Sequence, residues 1–229
     1  MGTHERKERE KEQRREEILH AATKVFFEKG LSASTMDDIA ERAELSKGTL
    51  YLYYHSKEDL YLAVMNVGID ILNKMFVTAL AQASDTIDGL RRLCETYFAF
   101  FRDHRQYFRM FHFFQNLQFH KQVSPDMLEI CRVNNQRIWS TVIDLLRRGV
   151  QEGLLRTDVE PTEMAVMLWS SPNAIMLQID YQADHWREHL HVDLERVLRV
   201  SNALLLESVM TEETRSRSHA QATSGEHIA

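Results

Sequence analysis

Apolar positions recur along this chain with a helical period almost from end to end. Ile18, Ala21, Ala22, Val25 and Phe26 fall at i, i+3, i+4, i+7 and i+8, which stacks them on one face of a helix. Gly30 follows Lys29 and suits a left-handed stop. Before that helix, residues 5–17 alternate acid and base, with Glu5 four ahead of Arg9 and Glu10 four ahead of Arg14. Such pairs support a solvated helix extension. The other reading is a basic arm that touches phosphate through Arg6, Lys7 or Arg9, which the interleaved glutamates weaken.

Three helix starts then crowd into residues 35–57. Thr35 offers a capping hydroxyl and Asp38, three residues on, completes a capping box. Met36, Ile39, Ala40 and Ala43 form the buried stripe of that helix, while Asp37, Glu41 and Arg42 face outward. Ser46 caps the next helix, and Ser56 with Asp59 opens the one after. Close-set caps predict short helices with tight connections rather than one rod.

Longer helices follow. Leu60, Val64, Val67, Ile71 and Met75 seam a helix over about 57–83. Further helices are expected over about 86–102, 105–117, 125–151, 161–181 and 190–210. Pro161 fits a first turn, and Pro172 should kink or break its helix. Residues 211–229 lack an apolar pattern and read as a disordered tail.

Composition narrows the class. Eight glycines and three prolines among 229 residues, with 44% hydrophobic residues, favour an all-α protein with a well-buried core. The charged start is not a signal peptide, and no uninterrupted apolar run reaches a span of roughly 18–20 residues, so no membrane partner and a cytoplasmic location are expected. Cys94 and Cys131 form no C-x-x-C and read as free thiols inside helices. The net charge of −6 argues against a nucleic-acid binder until it is located. Residues 1–57 are neutral and the remainder carries the excess, while residues 45–57 hold two lysines, one histidine and no acid. Any DNA contact therefore rests on a small local basic surface.

That surface has the right chemistry. Lys47, Gly48 and Thr49 make the first turn of the Ser46-capped helix, the end that enters a major groove in helix-turn-helix motifs. Lys47 can reach guanine acceptors or a phosphate, and Thr49 offers a hydroxyl or a methyl. Gly48 admits close backbone approach. Leu50 and Tyr54 face inward with Leu45, so Tyr51 and Tyr53 point out. Thr35 and Lys57 sit at helix N-termini, where phosphate oxygens are favoured.

The run from Ile18 to Leu60 resembles the N-terminal domain of the tetracycline-repressor (TetR) family of bacterial transcription regulators, through Ala21, Phe26, Gly30, Thr35, Ile39, Ala40, Ala43, Leu45, Ser46, Lys47-Gly48-Thr49-Leu50-Tyr51, Tyr53, Lys57 and Leu60. It departs from that pattern at Glu44, where glycine is common, and at Tyr54, where Phe is usual. A left-handed Glu44 would cost roughly 1–2 kcal/mol. The resemblance implies a charged arm (1–12), a three-helix DNA-binding domain (13–57), a helical sensing and dimerisation domain (58–210) and the tail. It also implies a homodimer paired through about 161–181 and 190–210, bound to a near-palindromic double-stranded operator as a repressor and released by a small-molecule effector.

Ten of 21 aromatics crowd into residues 97–119, too many for one helix face. They either fill core or line a pocket for a large, mainly apolar effector. The candidate lining is Phe101, Phe108, Phe111, Phe114, Trp139 and Trp169, with Arg109, His112, Asn134 or Asn135 as polar anchors. One rival remains: His185-Trp186-Arg187-Glu188-His189 fits the H-x-x-E-H zinc-hydrolase pattern. No third ligand follows it at the right place, so His185 and His189 stay weak metal candidates in a solvated connection. No enzyme activity and no cofactor are expected.

Overall fold

The structure, a computed structural model, describes residues 3–114 and 117–225. These form helices α1 (Thr3–Ala33), α2 (Met36–Arg42), α3 (Lys47–Tyr51), α4 (Lys57–Ala81), α5 (Thr86–Asp103), α6 (Arg105–Phe114), α7 (Leu117–His120), α8 (Pro125–Gln151), α9 (Pro161–Leu190), α10 (Leu194–Val209) and α11 (Glu212–Gly225). The all-α expectation holds. Among the described residues the nearest thing to a sheet is one isolated bridge, Leu155 to Met210.

Local signals explain most boundaries. Gly30 interrupts α1 at φ 72°, a conformation open to glycine at little cost. The capping box at Thr35 forms in full, and Ser46 Oγ accepts from the Thr49 N–H. Ser56 Oγ accepts from the Asp59 N–H, but the Asp59 carboxylate turns away and accepts from the Ser124 N–H at 2.8 Å. Residues 5–17 are helical and, apart from half-buried Arg14 and Glu17, exposed, laced by pairs such as Arg6–Glu10.

Three expectations are corrected. Pro172 does not break α9, because it is buried on the face that also buries Met164, Ala165, Leu168, Met176 and Ile179. That packing outweighs the one hydrogen bond a proline forfeits. The irregularity falls instead at Gln182 (φ −141°, ψ 16°), and the helix continues to Leu190, ended by a left-handed His191. The region after Met210 is not structureless as far as Gly225: Thr211 bonds the Leu154 carbonyl, caps the Thr214 N–H, and starts α11 with Thr214 buried. Residues 226–229 of the expected tail, and 115–116 of the expected 105–117 helix, lie outside the described residues.

Contacts divide the chain into two compact units. The first joins residues 1–72 to 104–136. Its core takes Ile18, Ala22, Val25 and Phe26 from α1, Ile39 and Leu50 from the short helices, and Leu60, Tyr61, Val64 and Met65 from α4. Tyr61 meets Phe26, Phe113 and Phe119 edge to face at 5.1–5.7 Å, and Phe27 meets Tyr107 at 5.0 Å. These long-range contacts explain why α6, α7 and the start of α8 join the N-terminal helices. The second unit joins residues 73–103 to 137–229. Its core gathers Ile87, Leu90, Leu146, Leu155, Met164, Leu168, Leu206 and Val209. Thr86 donates to the Glu152 carboxylate at 2.5 Å, joining the start of α5 to the end of α8.

Helix α4 is long and apolar enough to cross a membrane by length and composition, with mean hydropathy 1.4. Over half of that stretch is buried inside the protein, as in a core helix. Cys94 and Cys131 are free, and burial pushes both thiols up to about 11.

Candidate nucleic-acid interface

Leu50 sets the geometry of this site. It is fully buried, and Tyr54, four residues on, is buried with it. Their shared face pins α3 against the core and turns the opposite face to solvent. Tyr51 is 44% exposed there, Lys47 and Gly48 are exposed, and Thr49 and Tyr53 are half-buried. Burial pushes the Tyr54 phenol up to about 12, with Arg15 lowering and Glu12 raising it. Glu44 is left-handed at φ 55°, as the turn between α2 and α3 requires.

Leu52 was missed by sequence reasoning. It caps the end of α3 and is 83% exposed, the most exposed large apolar side chain among the described residues. The signal was available: two residues beyond buried Leu50, the helical period turns a side chain outward.

The candidate contacts differ in their freedom. The Lys47 ammonium reaches Asp37 at 2.8 Å, a pair exposed on both sides, and that hydrogen bond raises the lysine's pKa. Such a pair is weak enough for a phosphate or base to replace. Thr49 Oγ1 lies 2.8 Å from Ser46 Oγ. The Thr35 hydroxyl is engaged twice, accepting from the Asp38 N–H and donating to its carboxylate. Lys29 and Thr35 hold that Asp38 carboxyl down at about 2.

Lys57 is the largest departure from expectation. Its ammonium donates to the carbonyls of Leu31 at 2.7 Å and Ser34 at 2.8 Å. Two of three donors are spent bracing the end of α1 against the start of α4. Both partners lie more than twenty residues back in the chain, which is why the helix-terminus argument did not find them.

Gly48 is informative for the opposite reason. A Cβ built there meets only Ser46 Oγ, at 3.8 Å, and the backbone is not left-handed. Among the described residues nothing asks for a glycine at this exposed position.

The candidate effector lining is divided. Phe108 (buried), Phe111 and His112 (half-buried), and Arg109 and Asn135 (exposed) belong to the first unit. Phe101, Trp139 and Trp169 belong to the second, where the two tryptophans meet edge to face at 5.7 Å and Tyr97 donates to Asn173 at 3.1 Å. In the first unit His112 Nδ1 is buried without a partner, and so is Asn66 Oδ1, whose amide donates to Cys131 Sγ. Asn66 was not foreseen, because its place on the apolar seam of α4 gave no sign of an unpaired acceptor. A groove of about 640 Å³ lies elsewhere, along α10, lined by His191, Arg196, Val197, Val200, Leu204 and Leu205 and by none of the predicted effector residues.

Residues 18–64 match the family model for bacterial regulatory proteins of the tetR family, and residues 87–189 match the tetracyclin repressor-like C-terminal domain. The chain is 33% identical over 138 residues to the HTH-type transcriptional activator FasR of Mycolicibacterium smegmatis, covering 60% of this chain and 61% of FasR. It is 27% identical over 147 residues to the HTH-type transcriptional repressor KstR2 of the same organism, covering 64% of this chain and 70% of KstR2. The match thus spans less than two thirds of FasR. Among solved structures, the TetR family regulator PfmR of Thermus thermophilus superposes with a TM-score of 0.59 at 26% identity, covering 82% of this chain and 96% of PfmR.

Proposed function

Because the chain belongs to the tetR family of bacterial regulatory proteins, we propose that it is a ligand-responsive repressor, working as a homodimer on a near-palindromic DNA operator. Its relatives are regulators of transcription, not enzymes. Their names span both senses, activator for FasR and repressor for KstR2. Repression follows where the operator overlaps a promoter and a seated dimer excludes polymerase. Acting on bacterial DNA places the protein in the cytoplasm.

The observation that carries this reading is the outward face of α3. Lys47, Gly48, Thr49 and Tyr51 present donors, a hydroxyl, an aromatic ring and a bare backbone on the side away from Leu50. Lys47 trades Asp37 for a DNA acceptor, Thr49 and the tyrosine hydroxyls take phosphate oxygens or base edges, and exposed Leu52 suits a thymine methyl. Lys57 and Thr35 act from behind, by holding the ends of α1 and α2 in place.

Exposed apolar side chains on α9 and α10 support the dimer: Val166, Met167, Val197, Val200 and Leu204. Pairing of these helices with their copies would set two α3 helices about one DNA turn, roughly 34–36 Å, apart. The effector reading rests on His112 and Asn66. Each leaves a buried polar atom unpaired, an amide oxygen at Asn66 and a ring nitrogen at His112, which costs about 1–3 kcal/mol and would be relieved by a polar ligand group. The aromatic surroundings favour a large, mainly apolar ligand. Helix α4 begins beside α3 and continues into the second unit, so a ligand that biases it by about 1–3 kcal/mol lowers DNA affinity 5- to 150-fold.

The test starts by selecting duplexes from a random pool with purified protein. Lys47→Ala is expected to weaken binding and to shallow the slope of log K against log salt by about one unit if its partner is a phosphate. Lys57→Ala is expected to weaken binding with the slope unchanged, because its ammonium is spent on carbonyls. Unaltered affinity in both variants would overturn the reading.

A further inference from the structure

We propose that His185 and His189 form a two-imidazole site for a late divalent transition ion on the last turns of α9. On sequence alone the pattern reads as part of a solvated connection between helices. The structure carries α9 through Leu190, so the four-residue spacing becomes one helical turn and both side chains stand on one face. Their rings lie 4.8 Å apart between centroids, with planes tilted by 53°, and both residues are exposed. Neither ring is used in packing the core.

The chemistry of the pair suits a cation. Two imidazoles one turn apart can each turn a nitrogen toward a shared ion, at the roughly 2.0–2.1 Å of a zinc–imidazole bond. Once the first nitrogen has captured the ion, the second binds it intramolecularly, so two rings hold far better than one. The negative end of the helix dipole lies here, and it favours positive charge. Arg187, between the two histidines in sequence, is paired with Asp184 at 3.4 Å and its charge is partly offset. Nitrogen donors without thiolate select nickel, copper and zinc over calcium and magnesium, with copper held tightest. Among the described residues no group of three or more His, Cys, Asp or Glu gathers close enough to hold a metal. Among the described residues, two imidazoles are therefore what one chain contributes, and water would fill the remaining positions. Such a site holds an exchangeable ion, and no hydrolytic chemistry follows from it.

The site lies in the second unit and does not depend on DNA binding by α3. The experiment titrates full-length, tag-free protein, stripped with a chelator, with nickel or zinc chloride in a calorimeter. One ion per chain is expected, with affinity reduced tenfold or more in His185→Ala and in His189→Ala alike. The double variant A183H/H185A keeps the number of histidines but puts the imidazoles six residues apart, on different faces, and is expected to bind as poorly as the single variants. Absence of binding by the parent protein overturns the proposal. So does binding that survives in either single variant or in A183H/H185A, which would mark an adventitious ion held elsewhere.

Discussion

Gly48 has room for a methyl group and carries none. Glycine in a helix is less favourable than alanine by about 0.8–1.0 kcal/mol, and no contact inside the chain repays that cost. Under the proposed function, close approach by DNA does. Gly48→Ala is therefore expected to leave thermal stability equal or slightly higher while weakening binding to a selected duplex tenfold or more. A stability loss with unchanged DNA affinity would place the reason inside the fold. The outward face of α3 was largely legible at this scale, since the exposure of Lys47 and Tyr51 follows from a cap and a turn of helix. Lys57 was not. Its identity suggested a phosphate, and only the folded chain brings the Leu31 and Ser34 carbonyls to it.

Elements show the same division. The starts of α2, α3 and α4, and the proline start of α9, are where capping residues put them, because a cap is an interaction across three or four residues. Glu44 belongs here too, since a turn this tight needs a left-handed residue whatever the side chain. The fate of Pro172 was not legible, because it turned on which face of α9 is buried. Gly68 is the counterpart in α4. In sequence it is an unremarkable glycine in a helix. In the fold a Cβ there would stand 2.7 Å from the Tyr107 Cβ and ring, so α6 can pack only because it is bare. Gly68→Ala should destabilise the protein by about 1–3 kcal/mol despite the better helix propensity of alanine. For a chain of this size that is a fall in melting temperature of several degrees per scan, at roughly 2–4 °C for each kcal/mol. An unchanged melting temperature would contradict the packing.

Whole-molecule behaviour depends on surfaces that one chain leaves open. Leu204 is 61% exposed and Val200 49%, on the helix that lines the apolar groove. Leu204→Glu is expected to convert a dimer into monomers in sedimentation experiments and to abolish binding to a two-half-site duplex, with helical content retained. A variant that still sediments as a dimer would put the interface elsewhere. The aromatic-rich stretch 97–119 also resolves only at this scale. Its rings sort into the two units, Phe101 with the tryptophans and Phe108 to Phe114 with α1 and α4.

Taken alone, the order of residues determined the helical class, the short capped helices and the outward side of α3. Each is set by groups within about one helical turn of one another. Tertiary structure decided what holds Lys57, why Gly68 is bare, how α9 runs past Pro172 to align His185 with His189, and which buried polar atoms are left unpaired. Each of those depends on burial, or on partners far apart along the chain, which local periodicity does not encode.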